Sequence, residues 1–236
     1  MKEIEPIAIF RSPLTTKFGI PRQSGVAGAL QGRIVFCPPF RREEALRGLE
    51  SFDYLWLIWG FSGNETQTWK AGDSLMVRPP RLGGNQRVGV FASRSPFRPN
   101  GLGLSSVRIE KIEQGEIVVS GADLMDGTPI YDLKPYLPYT DAHPEARGGF
   151  TEKKTWTELI VTFSDVAKAA LEPEMCNVLS TLLAQDPRPS YQTDSERIYG
   201  MEYAGHNIRF QVKERHCIVL TAERIITNTN YDDYQR

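Results

Sequence analysis

Short runs of apolar and β-branched residues recur at close spacing along the first part of the chain. Pro6–Phe10 (PIAIF), Gly32–Cys37 (GRIVFC) and Tyr54–Phe61 (YLWLIWGF) each predict a strand. Gln86–Ser93 predicts another, after the turn signal Leu82-Gly83-Gly84. Ser105–Ile112 and Glu116–Gly121 predict a hairpin across Glu113–Gly115, and Ile130–Leu133 a short strand ending at Pro135. Between these, Phe18–Ala29 is a loop punctuated by Gly and Pro. Helical spacing occurs only in Arg42–Leu49 (REEALRGL), stopped near Gly48. Short strands at close spacing predict a mainly β N-terminal domain, a small barrel or sandwich. The lack of βαβ alternation argues against a doubly wound sheet.

The pattern changes after a polar, Gly-bearing stretch, Asp141–Phe150 (DAHPEARGGF), which reads as a linker. Beyond it, Thr157–Phe163 predicts a strand and Val166–Ala184 one or two helices broken near Pro173. Asn207–Val212 and His216–Thr221 predict a terminal hairpin across Lys213–Arg215. The expected organisation is therefore a β domain over 1–145 and a smaller α+β C-terminal domain over 146–236.

Composition narrows the class. The chain has 236 residues, with 40% apolar and 24% charged content, as a globular protein does. No apolar run approaches the roughly 18 residues needed to span a bilayer. The start, MKEIEPIAIF, carries acids where a signal peptide carries bases, so secretion is disfavoured and a cytoplasmic location expected. Cys37, Cys176 and Cys217 are far apart with no CxxC, which argues for a reducing compartment and against a zinc site. His143, His206 and His216 lack metal-ligand spacing and read as surface or hairpin residues.

The net charge of -1 suggests no nucleic-acid partner until its distribution is examined. Residues 1–150 hold 18 Lys+Arg and 16 Asp+Glu, a net +2, and residues 151–236 hold 10 and 13, a net -3. Within the first part, Ser74–Arg108 contains Arg78, Arg81, Arg87, Arg94, Arg98 and Arg108 but no Lys, Asp or Glu. Average density would place about four charges of each sign in such a window. An all-Arg choice favours planar, bidentate contacts to phosphate or carboxylate. The competing explanation is that these arginines pair with carboxylates elsewhere in the fold.

The chain has no GxGxxG after a strand, no GxxxxGK[ST], no HExxH and no GxSxG, so common nucleotide and hydrolase motifs are missing. Three segments instead mix stiff backbone with polar side chains. They are Pro21–Gly25, then Arg78–Gly84 with Arg94–Asn100, and Asp126–Pro129 with Asp132–Tyr136. Each alone is ordinary turn chemistry; together they suggest a ligand site. Trp56 and Trp59, in an apolar strand, read as core, whereas Trp69 beside Lys70 is a candidate for base stacking.

At these segments the sequence resembles the TrmO (TsaA-like, YaeB-like) family. The matching stretches are FGIPRQSG (18–25), RPPRLGGNQRVGVFASRSPFRPN (78–100), DLMDGTPIYDLKPYLPYTD (123–141) and AQDPRPSY (184–191), nearly the whole length of the chain. The resemblance implies an S-adenosylmethionine-dependent tRNA methyltransferase. Its substrate would be N6-threonylcarbamoyladenosine at position 37, beside the anticodon, methylated at N6. It also implies a β-barrel N-terminal domain, an extra C-terminal domain and a homodimer with the cofactor near the subunit interface.

Residue by residue, the resemblance assigns Pro21, Arg22 and Gln23 to a cofactor or substrate loop and Phe61 and Ser62 to the cofactor pocket. Arg94 and Ser95 would contact the cofactor, and Leu124, Asp126, Gly127, Thr128 and Pro129 would wrap it from the other side. Two positions depart from the family pattern. Ser62 stands where relatives often have His, which removes any imidazole role, and Gly101 where they commonly have Pro, which would loosen the loop.

Methyl transfer from a sulfonium is an in-line displacement for which the protein supplies orientation and electrostatics. A nitrogen bearing a ureido group is a weak nucleophile until its proton leaves, so a base or a stabilising cation is needed. Asp126, Lys134 and Tyr136 are the candidates for this catalytic role. Arg81 or Arg98 could bind the threonyl carboxylate, and Arg78 and Asn100 complete the expected substrate contacts. A non-catalytic tRNA-binding module and an enzyme for small anions are the rival readings.

Overall fold

The computed structural model describes residues 3–62, 70, 72–79, 86–152, 157–189, 192 and 194–226. The first strand, β1 (Ala8–Arg11), is followed by β2 (Gln31–Phe36), where Ile34 and Phe36 point inward. In β3 (Tyr54–Gly60), Leu55, Leu57 and Trp59 are buried while Tyr54 is exposed, the period-2 pattern of a half-buried strand. A two-stranded ribbon follows, β4 (Met76–Val77) with β5 (Val88–Gly89). Then come β6 (Leu102–Glu113), β7 (Glu116–Ser120) and β8 (Pro129–Pro135).

Six of these strands close into a barrel in the order β1-β2-β7-β6-β3-β8, with β8 pairing back to β1. Every pairing in it is antiparallel. Closure leaves no free edge in the ring. Its interior is filled by Phe10, Ile34, Leu55, Leu57, Val107, Ile117, Val119 and Ile130. A single helical turn, α1 (Pro138–Asp141), follows β8.

The C-terminal unit begins with β9 (Ile160–Phe163), α2 (Asp165–Ala170) and α3 (Pro173–Ala184). It ends with β10 (Ile198–Tyr203), β11 (His206–Lys213) and β12 (His216–Arg224). The sheet order is β10-β11-β12-β9, and only the β12–β9 pair is parallel. Helix α3 buries Val178, Leu179, Leu182 and Leu183 against this sheet's inner face. Pro173 sits at the start of α3, where a missing N–H costs nothing.

Two sequence expectations fail for identifiable reasons. Gln86–Ser93 is not one strand: pairing stops at Gly89, and Val90–Ala92 coils into a 3-10 turn that buries Val90. Arg42–Leu49 is not an α-helix but 3-10 turns at Glu43–Leu46 and Leu49–Ser51, separated by Gly48 at φ 90°. Eight residues burying little more than Leu46 and Leu49 cannot offset helix nucleation. Strand β10 was not expected, although Tyr199, Met201 and Tyr203 alternate inward.

The segment between β1 and β2 leaves the barrel to join the other core. Leu14, Ala27 and Leu30 are buried in the C-terminal cluster, with Phe18 and Ile20 packed on it. The Phe18 ring stacks on Phe210 at 6.2 Å, and Ala204 N donates to Pro13 O at 2.9 Å. No helix among the described residues is long and apolar enough to cross a membrane.

Candidate active-site cleft

A cleft of about 470 Å³ opens where the 12–30 segment meets the barrel. Its floor is apolar and aromatic, from Ile20, Trp59, Phe61 and Met125; its rim carries Lys17, Arg22, Arg94 and Arg98. The floor depends on a glycine. Gly103 on β6 pairs with Trp59 on β3, and the indole lies flat over it. A Cβ at Gly103 would come within 2.3 Å of Trp59 Cε2. Phe61 then meets Trp59 edge-on, with centroids 4.4 Å apart.

Two of the stiff segments meet at the rim. The Arg94 guanidinium donates to Gln23 Oε1 at 2.6 Å. Arg22 donates to the carbonyls of Asp186 and Arg188, each at 3.1 Å, and so ties the loop to the C-terminal unit. Arg98 donates to Ser93 O at 2.8 Å and folds its own loop. The turn ends at Gly101, whose φ of 57° no proline can adopt. Gly101 N donates to Arg98 O, and Phe61 N donates to Gly101 O at 2.9 Å, so this turn is closed rather than loosened.

Behind the floor runs a chain of hydrogen bonds. Trp59 Nε1 donates to Ser105 Oγ at 2.9 Å, and Ser105 Oγ donates to Asp123 Oδ1 at 2.5 Å. Ser105 is 1% exposed. Asp123 lines the cleft, and burial raises its pKa above the usual carboxylate value. Hydrogen bonding from Ser105 and the charge of Arg94 partly oppose that rise.

Of the residues expected from sequence, Pro21, Arg22, Gln23, Phe61, Ser62, Arg94, Arg98 and Thr128 line this cleft. Ser95 is next to Arg94 but outside the lining, and Arg78 and Asn100 lie outside it too. Arg81 and Trp69 lie outside the described residues. The expected catalytic trio is elsewhere. The Asp126 carboxylate accepts from Ser12 N at 3.0 Å and pairs with Arg11 at 3.5 Å, which ties its turn to β1. Gly127 N donates to Phe10 O, Leu124 is buried in the barrel core, and Pro129 begins β8. Lys134 pairs with Asp132 at 2.8 Å on the barrel wall. Tyr136 packs 5.6 Å from Trp56, which does line the cleft.

Residues 9–142 match the model for the tRNA-methyltransferase O N-terminal domain, and residues 157–225 match that for the TrmO C-terminal domain. The chain belongs to the tRNA-methyltransferase O family. A protein of Escherichia coli K12 named tRNA (adenine(37)-N6)-methyltransferase is 38% identical over 224 residues, 90% of this chain and 94% of that one. A Pseudomonas aeruginosa protein named putative S-adenosylmethionine-dependent methyltransferase RcsF is 42% identical over 205 residues, 84% and 87% of the two chains. The crystal structure of TrmO from P. aeruginosa superposes with a TM-score of 0.77 at 33% identity, covering 95% and 97%.

Among the described residues this TrmO-family barrel has no βαβ unit in which Rossmann glycines would sit, and the cleft is lined by residues of β3, β6 and the segment between β1 and β2. The cleft also shows what sequence reasoning overlooked. Trp59 is core, as its strand predicts, and also lines the cleft; Trp56, read as core too, lies outside the buried cluster and lines the cleft. Asp123 was passed over for Asp126, three residues on, because Asp-Gly draws the eye to the turn. The signal that could have found it is Ala122–Leu124, where an acid interrupts residues that are otherwise buried.

Proposed function

We propose that this TrmO-family protein transfers a methyl group from S-adenosylmethionine to N6 of threonylcarbamoyladenosine at position 37 of tRNA. The observation that carries the reading is the cleft itself. Arg94, from the acid-free arginine run, meets Gln23 over an aromatic floor. The residues present suit the cofactor: about 470 Å³ lies within the range of small-ligand sites. Trp59, Phe61 and Met125 offer apolar surface for an adenine, and Arg22 and Arg94 suit the methionyl carboxylate. When bound, the sulfonium supplies an electrophilic methyl group.

The protein's own residues then bind and orient. Pro21, Arg22, Gln23, Phe61, Ser62, Arg94 and Thr128 hold the cofactor. Arg98 faces the threonyl carboxylate, while Arg78, Arg81, Asn100 and Lys134 meet anticodon-loop phosphates. The protein works as a homodimer in the cytoplasm, where its tRNA is found. Supporting the dimer, Phe91, Phe97 and Leu104 are 74%, 55% and 56% exposed, and Leu104 is itself part of the cleft lining.

The test is mass spectrometry of nucleosides from tRNA lacking the final methyl group, after incubation with protein and S-adenosylmethionine. The expected result is a gain of one methyl group on threonylcarbamoyladenosine. No gain would overturn the proposal.

A further inference from the structure

We infer that Asp123 is the general base of the reaction, taking the N6 proton of the substrate, with Ser105 and Trp59 as its positioning residues. The inference rests on the methyltransfer reading above and adds the group that activates the nucleophile.

The cleft leaves one acid for the task. Among the described residues that line it, the cations are Lys17, Arg22, Arg94 and Arg98, and the one carboxylate is Asp123. Asp126 is engaged with Ser12 and Arg11, and Lys134 with Asp132. Asp123 shares the cleft lining with Trp59, Phe61, Met125 and Thr128, so its carboxylate borders the same cavity as the aromatic rings.

The geometry also fixes the carboxylate's orientation. Ser105 Oγ donates to Oδ1 at 2.5 Å, and the Trp59 indole N–H donates to Ser105 Oγ at 2.9 Å. The indole is itself seated over Gly103, so the carboxylate's direction is set by two strands of the barrel. Burial makes the carboxyl a stronger base than an exposed one. The Ser105 hydrogen bond and the charge of Arg94, at the same cleft, partly oppose that rise in its pKa.

In the step, the N6–C bond forms as the S–C bond breaks, and the electron pair of that bond leaves with sulfur. The N–H proton passes to the Asp123 carboxylate and from there to solvent. Sulfur ends neutral, and the methylated nitrogen carries no proton.

The experiment compares wild type, Asp123→Asn and Ser105→Ala. Calorimetry with S-adenosylmethionine is run beside single-turnover methylation of tRNA across pH. Asp123→Asn should keep cofactor affinity within about threefold while methyl transfer falls about 100-fold or more and its acid limb disappears. Ser105→Ala removes a hydrogen bond that favours the charged carboxylate, so the acid limb should move to higher pH. If Asp123→Asn does not fold, the Ser105→Ala profile decides. Loss of cofactor affinity with an unchanged rate at saturation would make Asp123 a binding residue and overturn the inference. So would an unmoved acid limb in Ser105→Ala. A wild type that transfers no methyl group would fail the methyltransfer reading itself, separately from either variant.

Discussion

The barrel and the C-terminal unit each bury an apolar core, but the two cores differ in chemistry and in reach. The barrel cluster is hydrocarbon and aromatic, Phe10, Leu55, Leu57, Trp59 and Ile117 among its members, and none of its buried side chains titrates. The C-terminal cluster includes Tyr199, Tyr203 and Cys217, and it extends beyond its own chain segment to take in Leu14, Ala27 and Leu30. The barrel brings Trp59, Phe61 and Asp123 to the cleft. Among the described residues the C-terminal unit supplies none that lines the cleft, yet it grips the loop bearing Pro21, Arg22 and Gln23. The lesson is that the second unit acts on the site by fixing one wall of it.

The largest effect should come from cutting that grip. Leu14 is fully buried in the C-terminal core, so Leu14→Ala should destabilise the protein by about 2–5 kcal/mol in urea denaturation. It should also weaken S-adenosylmethionine binding, although Leu14 does not line the cleft. Unchanged affinity would separate the two regions again.

A second comparison uses pH. Burial pushes the Cys217 thiol and the Tyr203 hydroxyl each up to about 12, from ordinary values of 9.0 and 10.0. The fold therefore favours the neutral forms. Their contribution is complete below about pH 9 and is lost as pH rises toward 12, by roughly a few kcal/mol. Amide hydrogen exchange at pH 8 and pH 11, corrected for intrinsic rates, should show β10–β12 losing protection before β3 and β6. Equal loss in both regions would contradict the contrast between the cores.

A smaller effect is expected inside the barrel. Gly103→Ala must push the Trp59 indole from its seat, at a cost of about 1–3 kcal/mol. Tryptophan fluorescence and thermal melting would report it, with methyl transfer falling because the Trp59–Ser105–Asp123 chain is disturbed. A variant with wild-type melting and fluorescence would show that the floor repacks freely.

The strand at Tyr54–Phe61 and the break at Pro173 were legible in the sequence, because an apolar run and a proline act locally, whereas the alternate burial of Leu55, Leu57 and Trp59 is set by the barrel. The paired strands β6 and β7 were readable for the same reason. That Pro21, Arg22, Gln23 and Arg94 would come together was legible because they cluster in unusual segments, and all four line one cleft. The site was not readable where a role depends on what lies behind a residue. Trp59 is core, as its strand predicts, but that its ring seated over Gly103 also lines the cleft depends on the partner strand. Asp126 looks catalytic until Ser12 and Arg11 claim its oxygens, and Asp123 looks ordinary until Ser105 is found 2.5 Å away. The arginine run likewise divides. Arg108 pairs with Glu110 at 3.9 Å, whereas Arg94 and Arg98 bind amide oxygens at the cleft.

The central claim is that the cleft joining the Pro21–Gln23 loop to Arg94 holds S-adenosylmethionine. Calorimetric titration of the cofactor into wild type and Arg94→Ala tests it most directly. Saturable binding by the wild type, weakened about tenfold or more in the variant, is the predicted result. Equal affinity in the two proteins, or no binding by the wild type, would contradict it.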